Sequence, residues 1–256
     1  MLAPDSILSC WRKFDGFPMD TLTKAWFYDK ASNGRQRDVS LMKEHKSQYG
    51  ITGNCYDLAI WLLDEFEKNG VKAFPIGHDL NTIDAHVAIV ALDENGNRFL
   101  CDLGDQWLNP ILIDSMSEDF TYEKLDGFFP AAQIQVKSVG NMIEVTYHRP
   151  NGKVSRQFYD PEPINKDDFF KAAEYSQNLI KPKPLLECRT PYKNDIAHWE
   201  FYDWKSFLST SEGLINEQSL NTVDEWSEKI KLKTGYNKQF LIEALEIYKA
   251  MAKLKY

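Results

Sequence analysis

The chain has 256 residues, with 30 Lys and Arg against 38 Asp and Glu, a formal net charge of −8. Hydrophobic residues make up 43% and aromatics 13%, enough for a sizeable core and too much for a globally disordered chain. The acidic balance argues against a general nucleic-acid or anionic-membrane binder, and no apolar run approaches the roughly 20 residues needed to cross a bilayer.

The opening, MLAPDSILSCWRKF, lacks the charged-then-apolar order of a secretory signal, so a soluble, cytoplasmic protein is the expectation. Cys10, Cys55, Cys101 and Cys188 are too scattered for a disulfide scaffold. No CxxC or HExxH pair occurs, so no metal site is expected.

In chain order, residues 1–50 mix short amphipathic pieces with the turn signals DGFP and SNGR. A helix is predicted over 54–69. Leu58, Leu62 and Phe66 recur at i, i+4 and i+8, Asn54 is a good N-cap, Asp57 sits in the first turn, and Gly70 stops the helix. Strands are predicted at 71–76, at 85–92 (AHVAIVAL) and, after the turn DENGN, at 98–104. Three more follow between about 128 and 160, in AAQIQVKSV, MIEVTYH and KVSRQFY, with NGK turning the last two.

A helical patch near 167–178 precedes KPKPLLECRTPY, which carries one or two further strands. The aromatic run HWEFYDW at 198–204 reads first as a strand packing its rings into the core, second as a pocket wall. The last 35 or so residues are helical, with a capping box from Thr222 to Glu225 and an apolar stripe of Leu241, Leu245, Tyr248 and Ala252. This order predicts an α+β fold. Residues 1–84 form a helical part with Cys55, 85–200 an antiparallel β-barrel or sheet with His86 and Asp102, and 201–256 a C-terminal helical region.

Cys55 opens the predicted helix, where the partial positive charge stabilises a thiolate and unpaired N–H groups can hold an oxyanion. Such a thiol needs a base and a group that orients the base. His86 and Asp102 lie on the two arms of one predicted hairpin. A two-residue loop at Asn95-Gly96 would turn Asp102 to the wrong face. A three-residue loop, Glu94-Asn95-Gly96, places Gly third, as a type I turn followed by a left-handed residue requires. That register sets His86 opposite Gly104 and Asp102 opposite Ala88. The two become same-face diagonal neighbours about 7–8 Å apart at the backbone, within reach of a side-chain hydrogen bond. The register alone does not bring His86 to Cys55.

The competing readings are structural: a free cysteine as a small buried hydrophobe, a histidine satisfied in the core, an aspartate doing turn chemistry. Cys101 alternates to the opposite strand face, and Cys10 and Cys188 have no activating neighbours. His78 reads as part of a polar loop without a partner, and His45, His148 and His198 sit among charged or aromatic residues. Asp57 supports the site or merely caps the helix.

The order Cys-helix, His-strand, Asp-strand resembles the papain-like thiol superfamily that includes transglutaminase-like proteins and arylamine N-acetyltransferases. The acetyltransferases match over more of the chain. Gly53-Asn54-Cys55-Tyr56-Asp57 is similar to their Gly-x-Cys-x-acid, His86 to Ala91 to their His strand, and Asp102-Leu103-Gly104 with Pro110 to their Asp-x-Gly and following Pro. The family's Arg-Gly-Gly before the cysteine is Ile51-Thr52-Gly53 here, its glutamate is Asp57, and its Pro-Phe-Glu-Asn segment is absent.

The resemblance implies an N-acetyltransferase-like fold with an N-terminal helical bundle carrying the nucleophile, an antiparallel barrel or sheet and a helical C-terminal region. It makes Cys55 the nucleophile, His86 the base and Asp102 its orienting acid. The implied activity moves an acyl group from acetyl-CoA or another acyl-CoA to a small-molecule amine through acyl-Cys55, with no metal, nucleic acid or membrane. The alternatives are a transglutaminase-like cysteine amidase or peptidase, and a catalytically inactive binding domain of the same fold.

Overall fold

The computed structural model describes residues 2–30 and 35–253. The chain begins with α1 (Asp5–Trp11), β1 (Met19–Asp20), α2 (Leu22–Lys30) and α3 (Val39–Tyr49), followed by α4 (Cys55–Lys68). α4 starts where the sequence places its cap. The Asn54 carboxamide accepts from the Tyr56 and Asp57 N–H groups, and the Asp57 carboxylate accepts from the Asn54 N–H at 3.0 Å. Leu58, Leu62 and Phe66 are fully buried, so the helix is held by its apolar face as well as by its cap.

Three open antiparallel sheets follow, and the middle of the chain is sheet rather than barrel. The first, in order β2 (Ala73–His78), β3 (His86–Leu92), β4 (Arg98–Cys101) and β5 (Ile111–Leu112), packs on α4. The second is a meander of β6 (Leu125–Phe129), β7 (Ala132–Val139), β8 (Met142–His148) and β9 (Val154–Tyr159). After α5 (Lys166–Asn178), the strands β10 (Leu185–Tyr192), β11 (Asp195–Tyr202), β12 (Lys205–Thr210) and β13 (Gly213–Asn216) form the third, with β1 added at its edge beside β10. Helices α6 (Val223–Thr234), opened by the reciprocal Thr222–Glu225 cap, and α7 (Lys238–Lys253) complete the chain.

β1, β5, β6, β12 and β13 were not foreseen from sequence. β1 and β5 are only two residues long, and β1 bonds to a strand that begins over 160 residues later. The predicted strand over 98–104 ends at Cys101, so Asp102 lies in the turn just beyond it.

The hairpin register is the one the three-residue loop requires. Ile89 pairs with Cys101 and Leu92 with Arg98. Asp93 closes the turn by accepting from Gly96 N–H and donating to Asn97 O, and Gly96 has φ +83°, the left-handed backbone that suits glycine.

The apolar interior has two parts. One surrounds α1, α4 and the first two sheets. The other gathers α2, β10, β11, α6 and α7. Ile51 belongs to the second and Tyr56 to the first, so the segment carrying Cys55 bridges them.

Candidate active site

Cys55 is the first residue of α4 and half-exposed to a cleft between the two cores. His86 is the first residue of β3, and its Nε2 lies 2.6 Å from Asp102 Oδ2. Asp102 is fully buried. Tyr159 donates its hydroxyl to the same oxygen at 2.9 Å, and the Asp105 N–H donates to Oδ1 at 3.0 Å. With both oxygens engaged, the carboxylate holds the imidazole in one orientation.

Cys55, His86 and Asp102 converge on Gly104. A methyl group there would stand 2.9 Å from Cys55 Cβ, 3.1 Å from His86 Cε1 and 3.2 Å from Asp102 Oδ1. The space is open only because residue 104 has no side chain.

Burial of the His86 ring opposes its charge. The carboxylates of Asp102 and Asp105, with hydrogen bonding to Asp102 and to the Cys55 thiol, outweigh it and raise the histidine well above its ordinary value. Burial and the neighbouring Asp102 push the Asp105 carboxyl up to about 7, against the opposing pull of His86. One ligand atom each from His86, Asp102 and Asp105 falls within 4.8 Å of the others, the only such cluster among the described residues. The short His86–Asp102 bond occupies two of these atoms with each other.

The remaining residues singled out from sequence lie elsewhere. Cys101 faces away into the core, and Cys10 and Cys188 are buried, with burial raising all three thiols. His45 stacks near Trp26, and His198 bonds Glu187 at 3.1 Å. His148 ends β8, away from this cleft. His78 is a correction. It ends β2 directly opposite His86, with ring centroids 5.8 Å apart, because the loop between them returns the chain in register. In HWEFYDW the strand alternation sends Trp199 and Phe201 into the core and leaves Tyr202 on the wall of the Cys55 cleft.

A buried arginine stands behind the turn before Cys55. Arg37, 2% exposed, donates from Nε to Asp57 Oδ1 at 3.3 Å and from Nη2 to Thr52 O, and pairs with Asp57 Oδ2 at 3.0 Å. Gly53 has φ +136°, and a Cβ there would meet Asp57 Oδ2 at 2.2 Å and Arg37 Nη2 at 2.4 Å. Sequence reading had no means of placing Arg37, since only the fold brings it to Asp57. From the other side, the Tyr236 hydroxyl approaches Thr52 Oγ1 at 2.6 Å and Asp20 Oδ2 at 2.7 Å. The turn that delivers Cys55 is thus clamped by both ends of the chain.

The cleft before Cys55 holds a cavity of about 290 Å³, lined by α2, the α4 start, the β3–β4 arms, the end of α5, β10 and Tyr248 of α7. Lys24 of α2 is on its wall.

No family model and no curated protein matches the sequence. Solved structures do match in fold, among them those of arylamine N-acetyltransferases. The Mycobacterium marinum arylamine N-acetyltransferase in complex with CoA superposes with a TM-score of 0.70 at 10% identity, over 96% of this chain and 91% of that one. The Mycobacterium abscessus enzyme gives 0.70 at 13% identity over 95% and 91%, and the Salmonella typhimurium enzyme 0.69 at 11% over 94% and 89%. Among the described residues no helix is long and apolar enough to cross a membrane.

Proposed function

We propose that this chain is a cysteine-dependent acyltransferase in which Cys55 is the nucleophile, His86 the base and Asp102 the residue that orients the base. The observation that carries the reading is the 2.6 Å bond between His86 and a fully buried Asp102, with the His86 ring and the Cys55 side chain both flanking Gly104. The Cys-His-acid order by itself would suit an amidase equally. The acyl-CoA donor is favoured by the likeness over nearly the whole chain to acetyltransferases, one of them in complex with CoA.

The chemistry follows from the geometry. Transfer of the Cys55 proton to His86 gives the attacking thiolate beside an imidazolium. The thiolate attacks the thioester carbonyl. In the first turn of α4, Asn54 takes the N–H groups of Tyr56 and Asp57, which leaves the Cys55 N–H to meet the developing oxyanion. Collapse expels CoA, which takes the proton from His86, and Cys55 becomes acylated. An amine then attacks acyl-Cys55, His86 accepts its proton, and the amide leaves as the thiolate and imidazolium are restored.

Intact-mass analysis after incubation with acetyl-CoA tests the reading. An acetyl adduct on the wild type, lost in Cys55→Ser and discharged by an arylamine, is the expected result. Absence of an adduct with any short acyl-CoA would overturn it.

A further inference from the structure

The charged groups lining the Cys55 cavity are matched, with one exception. Lys181 pairs with Asp84 at 2.8 Å, Lys183 with Asp203 at 2.8 Å, and Glu187 with His198 at 3.1 Å. Asp105 lies 3.9 Å from His86. Lys24 is 8% exposed, deeper than either other lysine, yet no carboxylate among the described residues pairs with it. Its ammonium, with three donors, has one neutral acceptor, Ser176 Oγ at 3.3 Å. A buried cation left this way costs stability unless something compensates it. Burial pulls the lysine down to about 8, opposed by the nearby charges of Cys55 and Asp57.

Lys24 thus stands on the wall of the Cys55 cavity as a cation without an anionic acceptor among the described residues.

We infer that this cavity takes a substrate bearing a carboxylate, seated on the Lys24 ammonium. The inference rests on Cys55 being the reacting group. The carboxylate belongs to the acyl group, as in a half-thioester of a dicarboxylic acid, or to the amine acceptor. In both cases the ligand completes an ion pair that the folded chain leaves open, and a charge-assisted hydrogen bond forms where water was excluded.

Two alkylating agents of nearly equal size decide it without any turnover. Iodoacetate carries the carboxylate and iodoacetamide does not, and the ratio of their rates at Cys55 cancels the thiolate fraction common to both. The site of reaction is located by peptide mass. Relative to N-acetylcysteine, the wild-type ratio of iodoacetate to iodoacetamide rates is expected to rise about tenfold, the effect of one charge-assisted hydrogen bond. Lys24→Met returns it to the free-thiol value. A wild-type ratio equal to that of N-acetylcysteine, or one unchanged by the substitution, overturns the proposal. Should Lys24→Met fail to fold, the wild-type ratio stands alone, joined by protection of Cys55 from iodoacetamide by benzoate but not by benzamide; equal protection by both overturns it.

Two further arms then separate the sources. Preference for succinyl-CoA over acetyl-CoA in adduct formation places the carboxylate on the acyl group. Preference for 4-aminobenzoate over 4-aminobenzamide in discharging the adduct places it on the acceptor. Indifference in both arms counts against the proposal. If no acyl-CoA acylates Cys55, the transfer chemistry falls and the alkylation ratio alone decides the carboxylate seat.

Discussion

Arg37 and Asp57 form an ion pair at 3.0 Å with both side chains 1% exposed, directly behind the turn that opens at Cys55. Asp57 also closes the cap of α4, and Arg37 also holds the Thr52 carbonyl. One buried pair therefore sets where the helix of Cys55 starts. Arg37→Met leaves Asp57 buried without its cation. It is expected to cost about 3–5 kcal/mol in urea denaturation. A cost under about 1 kcal/mol would show that the Gln36 carboxamide, which donates to Asp57 Oδ1 at 2.6 Å, suffices by itself.

Gly104 tests the spacing of Cys55, His86 and Asp102 directly. Its backbone is not in the left-handed region, so Gly104→Ala probes space rather than strain. The added methyl must displace Cys55 or the imidazole by several tenths of an ångström. We expect a stability loss of about 1–3 kcal/mol and a fall in acyl transfer of roughly a hundredfold, as for other misplacements of reacting groups. Wild-type rates of adduct formation in Gly104→Ala would show that the three groups need not be held so closely.

His86 is expected to govern the reactivity of Cys55. An unassisted thiol is only a few per cent ionised near neutrality, so His86→Gln should slow iodoacetamide alkylation at pH 7 roughly tenfold or more. The same residue sets a stability trend. Its folded value lies above the unfolded one near 6.5, so its contribution is fully present below about pH 6.5 and is lost as pH rises through the raised folded value. The stability gap between wild type and His86→Gln should therefore narrow as pH is raised from 6 to 10. A gap that widens with pH contradicts this assignment.

Asp105 predicts a second slope of the same sign at lower pH. Its folded value of about 7 exceeds the usual carboxylate value near 3.9, so the folded chain holds a proton that the unfolded chain has released. Stability should decline as pH rises between about 4 and 7, and Asp105→Asn should flatten that decline in urea midpoints measured across the window. An unchanged slope in the variant would assign the decline to other groups. Glu200, pushed by burial to about 7, is the nearest alternative source.

Much of the framework around this site was readable in advance because its signals are local. The Asn54–Asp57 cap, the apolar stripe of α4 and the Thr222–Glu225 cap each span one or two turns. The β3–β4 register followed from a single glycine at position 96, and with it the diagonal approach of His86 to Asp102. The strand over 98–104 was too long by three residues because nothing in its apolar pattern marks where Asp102 turns to accept the Asp105 N–H.

The chain by itself determined the strongly patterned elements, such as α4 and β3, and the short-range geometry that hydrogen bonding within a cap or a hairpin can enforce. The tertiary structure alone decided what meets across the cleft: Arg37 against Asp57, Tyr159 on Asp102, His78 beside His86, and Lys24 on the wall before Cys55. These contacts join residues from separate elements. They arise where two apolar cores close on the segment 51–56, and no local propensity encodes which polar groups that closure traps together.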